Sequence, residues 1–130
     1  MDTTLLVRDV MTIGVPICRE SEACGAVAVR LGGTPVVVVL NAAGAACGWT
    51  TRSALERQTA VATIGEMMEE AIPTIPPDIP AAAALQLMRD QGLDFMFLMH
   101  MYPGEPRPSA YLAREALERR LLEDQHAGCR

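Results

Sequence analysis

The first half of this 130-residue chain is loosely rewritten in its second half. Val7-Arg8-Asp9-Val10-Met11-Thr12 returns as Ile64-Gly65-Glu66-Met67-Met68-Glu69, with apolar, acidic and methionine positions in the same order and an offset of 57. At that same offset Ser21 and Asp78 each open an apolar helical stretch. Near the end of each half, Thr51-Arg52-Ser53-Ala54-Leu55 corresponds to Leu112-Ala113-Arg114-Glu115-Ala116, where the offset has grown to 61. Self-similarity in fixed order means two copies of one supersecondary unit. Neither copy is long enough to bury a good core alone, so the two are expected to pack together as one domain with a cleft between them. The repeat boundaries read as 1–61 and 62–126, with 127–130 as a C-terminal tail.

Half of the residues are hydrophobic but only 4% are aromatic, so the core must be built from Val, Leu, Ala, Ile and Met. A net charge of −5 argues against a nucleic-acid or anionic-membrane surface, which needs a clustered positive field. One bound nucleotide is still compatible, because a few N–H groups and one or two Arg hold a phosphate. Cys18, Cys24, Cys47 and Cys129 form no CxxC pair, and no signal peptide opens the chain. Reduced, packed thiols in a cytoplasmic protein are expected, and no metal site. The Met1 start, without a tag or linker, leans toward a complete small protein. The most apolar run, Pro35 to Thr50, is too short and too interrupted to span a bilayer.

Each half spells strand, helix, strand, strand, helix. In the first, Val15 to Cys18 is a short strand, and Ser21 caps a helix running to Leu31, with Glu22 in its first turn. Gly32-Gly33 ends that helix. The β-branched run from Thr34 to Leu40 reads as a strand buried on both faces. Asn41 to Gly44 turns the chain into a returning strand, Ala45 to Thr50, and Thr51 caps a helix to about Gln58. In the second half, Thr74-Ile75-Pro76 is the short strand, and Asp78 caps a helix from Ile79 to Gln91. Phe95 to Met99 is the buried strand, and Met101 to Pro108 is a longer loop. Ser109 to Leu112 returns, and Ala113 to Gln125 is the closing helix ahead of a frayed tail. The result is an α+β fold of two repeated β-α-β-β-α units packed with pseudo-two-fold symmetry.

This pattern resembles a tandem pair of cystathionine-β-synthase (CBS) domains, a Bateman module. The residues that carry the resemblance are Asp9-Val10-Met11-Thr12, Thr34 to Val38 and Gly48 to Leu55, then Met67-Met68, Asp78 to Met88, Gly92-Leu93-Asp94 and Ser109 to Leu117. The likeness covers residues 5 to 125; its specificity lies in the order of the pieces, which occurs twice. It implies a regulatory module rather than an enzyme, a homodimer, and an adenine-containing ligand between the repeats: AMP, ADP, ATP, S-adenosylmethionine or sometimes NAD. A regulated enzyme or transporter is the partner it implies.

The family's ligand motif reads Gly-x-x-Thr/Ser-x-x-Asp at the start of each closing helix. The hydroxyl and the free N–H groups of the first turn face a phosphate, while the Asp accepts from both ribose hydroxyls. Here Gly48 and Thr51 are present with Ala54 in place of the Asp. In the second half Glu115 is aligned with the Asp, and Leu112 and Ser109 replace the Thr and Gly. The resemblance therefore nominates Thr12, Thr34, Thr51, Thr74, Arg114 and Glu115 as candidate ligand residues, with the second half as the better site. Each has a plainer reading: Thr51 as an N-cap worth about 1 kcal/mol, Glu115 as a first-turn acid worth about 0.3–1 kcal/mol, Arg114 as a solvated or dimer-contacting side chain, and the remaining Thr as strand-end residues. Trp49 is an adenine platform or a buried or interface Trp; the methionines fill gaps.

Three functions follow from these residues. One is ligand sensing. A second is a degenerate CBS pair that only dimerises or docks on a partner, with Leu112, Ala116, Leu117 and Leu121 as the apolar face of the closing helix. The third and weakest is catalysis: no catalytic arrangement stands at readable spacing, and it would need Cys18, Cys24 and Cys47 to meet His100 in space.

Overall fold

Four valines and a leucine, Val36 to Leu40, form the strand around which one half of the molecule is built, and all five are buried. In the computed structural model, which describes residues 4–100 and 107–128, this strand lies between two others. In chain order the elements are α1 (Val7–Val10), β1 (Thr12–Ile13), β2 (Ile17–Arg19), α2 (Cys24–Leu31), β3 (Val36–Leu40), β4 (Ala46–Thr51) and α3 (Arg52–Glu56). Then come α4 (Ile64–Met67), α5 (Ala81–Gln91), β5 (Phe95–His100), β6 (Arg107–Ala113) and α6 (Arg114–Gly128). The class is the expected one, α+β: the order β-α-β-β-α runs from β2 to α3 and recurs from Thr74 to α6, with the first strand of the second copy reduced to a single bridge.

The chain forms two compact units. One is built on residues 14–72; the other takes 73–99 and 109–128 together with the N-terminal segment up to Ile13. The opening segment of each sequence repeat thus packs with the other repeat's residues.

In the 14–72 unit, β2 pairs with β3 in parallel and β3 with β4 antiparallel. The β3–β4 turn is held by Asn41, whose Oδ1 accepts from Ala43 N (2.9 Å) and Ala45 N (3.1 Å), while Gly44 adopts φ 85°. Cys18, Cys24, Val27, Leu31, Val37, Val39, Leu55 and Ile64 make the core, each full burial contributing about 1.5–3 kcal/mol for the larger apolar side chains. In the other unit the sheet order is β1-β6-β5, and Thr74 adds one parallel bridge to Phe97. Its core gathers Val7, Ile75, Ala81, Ala84, Leu85, Met88, Met96, Leu98, Ala110, Leu112 and Leu117.

Hydrogen bonds repeat at the offset of 57. Val7 N donates to Ile79 O (2.9 Å), and Ile64 N to Glu22 O (2.9 Å). Arg8 N reaches Pro77 O (3.0 Å) as Gly65 N reaches Glu20 O (2.9 Å). Ala81 N donates to Leu5 O (2.8 Å) as Cys24 N donates to Ala62 O (2.7 Å).

That last pair corrects the two expected helix caps. The N-caps of α2 and α5 are Ala23 and Pro80, neither with a side-chain bond, so Ser21 and Asp78 are not caps. Backbone carbonyls meet the leading N–H groups instead: Cys24 N and Gly25 N donate to Ala62 O and Ala60 O, and Ala81 N donates to Leu5 O. Two further boundaries move. Thr74 to Pro76 makes one bridge rather than a strand, since Pro76 and Pro77 lack N–H groups. Helix α6 runs to Gly128, the first residue after Arg114 that breaks a helix, so residues 127–128 are helical rather than tail. The expected loop from Met101 falls largely outside the described residues, as does Cys129.

Candidate functional site

The two closing helices begin alike. Arg52 N donates to Pro35 O (2.9 Å) and Arg114 N to Asp94 O (2.9 Å), each tying the helix start to the residue just before the buried strand. This fixes the true register between the halves at Arg52 and Arg114, an offset of 62 rather than 61. Leu55 and Leu117 then coincide, both almost wholly buried. So do the strand bridges Trp49↔Glu69 and Thr12↔Tyr111. The signal was present in the sequence: Arg52-Ser53-Ala54-Leu55-Glu56-Arg57 and Arg114-Glu115-Ala116-Leu117-Glu118-Arg119 share five of six residues.

The shift changes the reading of the second helix start. The hydroxyl position is Ala113, the carboxylate position is Ala116, and the glycine position is Ala110. Glu115 falls one residue before the carboxylate position, opposite Ser53. Its side chain is 92% exposed and lies 3.6 Å from Arg119 Nη2. Arg114 is engaged on both sides, 2.8 Å from Asp94 Oδ1 and 3.7 Å from Glu118 Oε1; Glu118 in turn meets Arg89 at 3.3 Å. Leu112 lies in β6, not on the helix, and with Leu117 it is buried in its own unit's core. Ala116 is exposed and Leu121 partly buried against the same core, so the expected apolar stripe is mostly intramolecular.

At the first helix start, Thr51 is the N-cap. Its Oγ1 accepts from Ala54 N at 3.1 Å and leaves its own O–H to donate. Thr51 pairs across the sheet with Val36, placing Thr34-Pro35 at the same end of the sheet. Arg52 follows, its guanidinium donating to Gly32 O and lying 3.5 Å from Glu56. Three residues before Thr51, Gly48 is buried where a Cβ would stand 2.7 Å from both Glu69 O and Met68 Sδ. Close packing of the 68–69 segment therefore requires glycine here, whatever binds nearby. Trp49 is half-buried, and its Nε1 donates to Ala71 O at 2.8 Å, so the indole is tied to the same segment.

The remaining candidates are placed as follows. Thr34 and Thr51 belong to one unit; Thr12, Thr74, Arg114 and Glu115 belong to the other. Thr12, the first residue of β1, and Thr74, at its single bridge to Phe97, are both exposed.

The three described thiols, Cys18, Cys24 and Cys47, are all shifted away from the thiolate. Burial first, and then the Glu22 carboxylate, push Cys18 up to about 12. Burial likewise raises Cys24 and Cys47, with Glu66 and Glu20 respectively adding to it. A reactive cysteine needs the opposite shift. Among the described residues no group of three or more His, Cys, Asp or Glu could hold a metal ion, and no helix is long and apolar enough to cross a membrane.

No protein-family model matches the sequence, and no curated protein matches it. Solved structures do. The CBS domain pair of protein MJ0100, in complex with 5′-methylthioadenosine and S-adenosyl-L-methionine, superposes with a TM-score of 0.78 at 16% identity, over 94% of this chain and 99% of that one. The CBS-domain containing protein ATU1752 from Agrobacterium tumefaciens gives 0.70 at 15% identity, over 88% and 91%. The cytosolic domain of the Mg2+ channel MgtE, in complex with ATP, gives 0.68 at 14% identity, over 85% of this chain but 46% of that one. This chain has the fold of a tandem CBS-domain pair.

Proposed function

We propose that this chain is a regulatory, non-catalytic CBS-type module that senses an adenine nucleotide through its 14–72 unit and acts as a cytoplasmic homodimer on an enzyme or transporter. The observation that carries this reading is the asymmetry of the two helix starts. Thr51 keeps a hydroxyl at a helix N-terminus beside Thr34-Pro35, whereas the equivalent residue, Ala113, has none. The fold likeness to pairs solved with adenine-containing ligands supports the ligand class.

The chemistry narrows that class. A hydroxyl and helix N–H groups favour phosphate oxygens. Ribose hydroxyls need an ionised acceptor, and Ala54 and Ala116 supply none. AMP, ADP or ATP therefore suits this site better than S-adenosylmethionine, which carries no phosphate. Calorimetry with AMP, ATP and S-adenosylmethionine tests this: a nucleotide gives heat, S-adenosylmethionine gives less or none, and Thr51→Ala weakens the nucleotide while Thr51→Ser restores it. A true ligand also raises the melting temperature by mass action. Silence with both nucleotides refutes the sensing reading.

A second reading, a module that only dimerises or docks, is favoured by one specific observation: neither helix start retains a carboxylate at the ribose position. It predicts no heat with any nucleotide but a dimer by sedimentation at micromolar concentration. A monomer there removes the dimer from both readings.

A further inference from the structure

Strand β2 is the outer strand of its sheet, with β3 on one side. Val38 N donates to Pro16 O (3.0 Å) and Glu20 N to Leu40 O (3.3 Å), so the backbone groups of the even-numbered residues face β3. Those of Ile17 and Arg19 face outward. An outer strand with open N–H and C=O groups is a template for another strand.

Three of these outward groups are already taken. Arg19 N donates to Glu22 Oε2 at 2.7 Å, and Arg19 O accepts from Glu22 N at 3.1 Å. Ile17 O accepts from Arg30 Nη2 at 3.3 Å. Glu22 and Arg30 grip each other in a two-pronged pair, Nη1 to Oε1 at 2.7 Å and Nη2 to Oε2 at 3.1 Å. The equivalent edge of the other unit needs no such device. At the offset of 57, Arg19 becomes Pro76 and Glu22 becomes Ile79. Proline removes the donor that an incoming strand would use.

We propose that the Glu22–Arg30 pair is an edge lock, and that the surface it closes is one on which β2 of a second copy of this chain pairs. The geometry favours that occupant. An antiparallel pairing about a two-fold axis at Cys18 sets Ile17 of each copy opposite Arg19 of the other. Both pairs then exchange both N–H···O bonds, using the outward groups named above. Ile17, 44% exposed, is covered in the same step.

The test is sedimentation velocity of the full chain against concentration, for the wild type, Glu22→Ala, Arg30→Gln and Glu22→Ala combined with Arg19→Pro. The lock predicts that each single variant, folded by circular dichroism, self-associates beyond the wild-type state, with the midpoint lowered about tenfold. It also predicts that Arg19→Pro, which copies the other unit's edge, abolishes the added association. Single variants that sediment as the wild type does at every concentration overturn the proposal, and so does association that survives Arg19→Pro. Should the variants not fold, amide exchange on the wild type decides. The lock requires a protected Arg19 N–H, and exchange there at the rate of an open edge amide overturns it.

Discussion

The helix starts at Arg52 and Arg114 share a backbone anchor and a buried leucine but not a chemistry. The first is short and capped by a threonine hydroxyl; the second is long and dressed with ion pairs to Asp94, Glu118 and Arg119. Duplication has kept what the sheet needs, the tie to Pro35 O or Asp94 O and the leucine three residues on. The two starts differ in the side chains around that anchor, a hydroxyl at Thr51 against a methyl at Ala113. The difference separates residues held by packing from residues open to function.

The largest expected effects lie on the shared part. Leu55→Ala and Leu117→Ala each remove a buried side chain from a core and should cost about 2–5 kcal/mol. If the units unfold as separate cooperative blocks, amide exchange will show each substitution loosening mainly its own core. Equal loosening of both cores would mean that the two act as one block. The comparison is next sharpened at Gly48 and its counterpart Ala110. A methyl on Gly48 meets Glu69 O and Met68 Sδ at 2.7 Å, so Gly48→Ala should destabilise by about 1–3 kcal/mol through overpacking. Ala110→Gly removes a methyl that is tolerated and should cost about 1 kcal/mol or less. Denaturant midpoints check both; equal costs would mean that the close approach of the 68–69 segment relaxes freely.

Much of this was legible beforehand. The offset of 57 was visible in Val7 to Thr12 and Ile64 to Glu69, and it reappears bond for bond in the fold. The valine run gave a strand buried on both faces because β-branched residues with no polar alternation leave no solvent face. Thr51 was recognisable as a cap because its partner, Ala54 N, is local. The helix starts at Cys24 and Ala81 are not legible from local capping residues, because their N–H groups are met by Ala62 O and Leu5 O, contacts remote in sequence. The closing-helix register differs by one residue from the motif alignment because extra length between the paired strands obscures it, although Arg-x-Ala-Leu-Glu-Arg stands in both halves. Gly48 was visible as a motif residue but not as a packing requirement, because the segment that crowds it lies 20 residues away.

The smallest expected effect separates the units by acid. The Arg30 guanidinium, and then the Arg19 N–H, hold the Glu22 carboxyl at about 2, below its ordinary 4.5. A carboxylate whose folded value is depressed adds stability above its unfolded value and loses it as pH falls toward the folded one. Glu22 should therefore stabilise the 14–72 unit fully above pH 4.5 and lose that contribution progressively down to pH 2. The other unit has Ile79 at this place and no matching carboxylate. The pair is partly exposed, so solvent screening holds the effect to about 1 kcal/mol. Unfolding of wild type and Glu22→Gln by urea at low micromolar concentration, at pH 6 and pH 3, isolates it from every other carboxylate. The difference between the two proteins should shrink at pH 3, and amide exchange should place the loss at Arg19 and the first turn of α2. A difference that does not change with pH would mean that the side chain acts there through its shape and hydrogen bonds, not its charge.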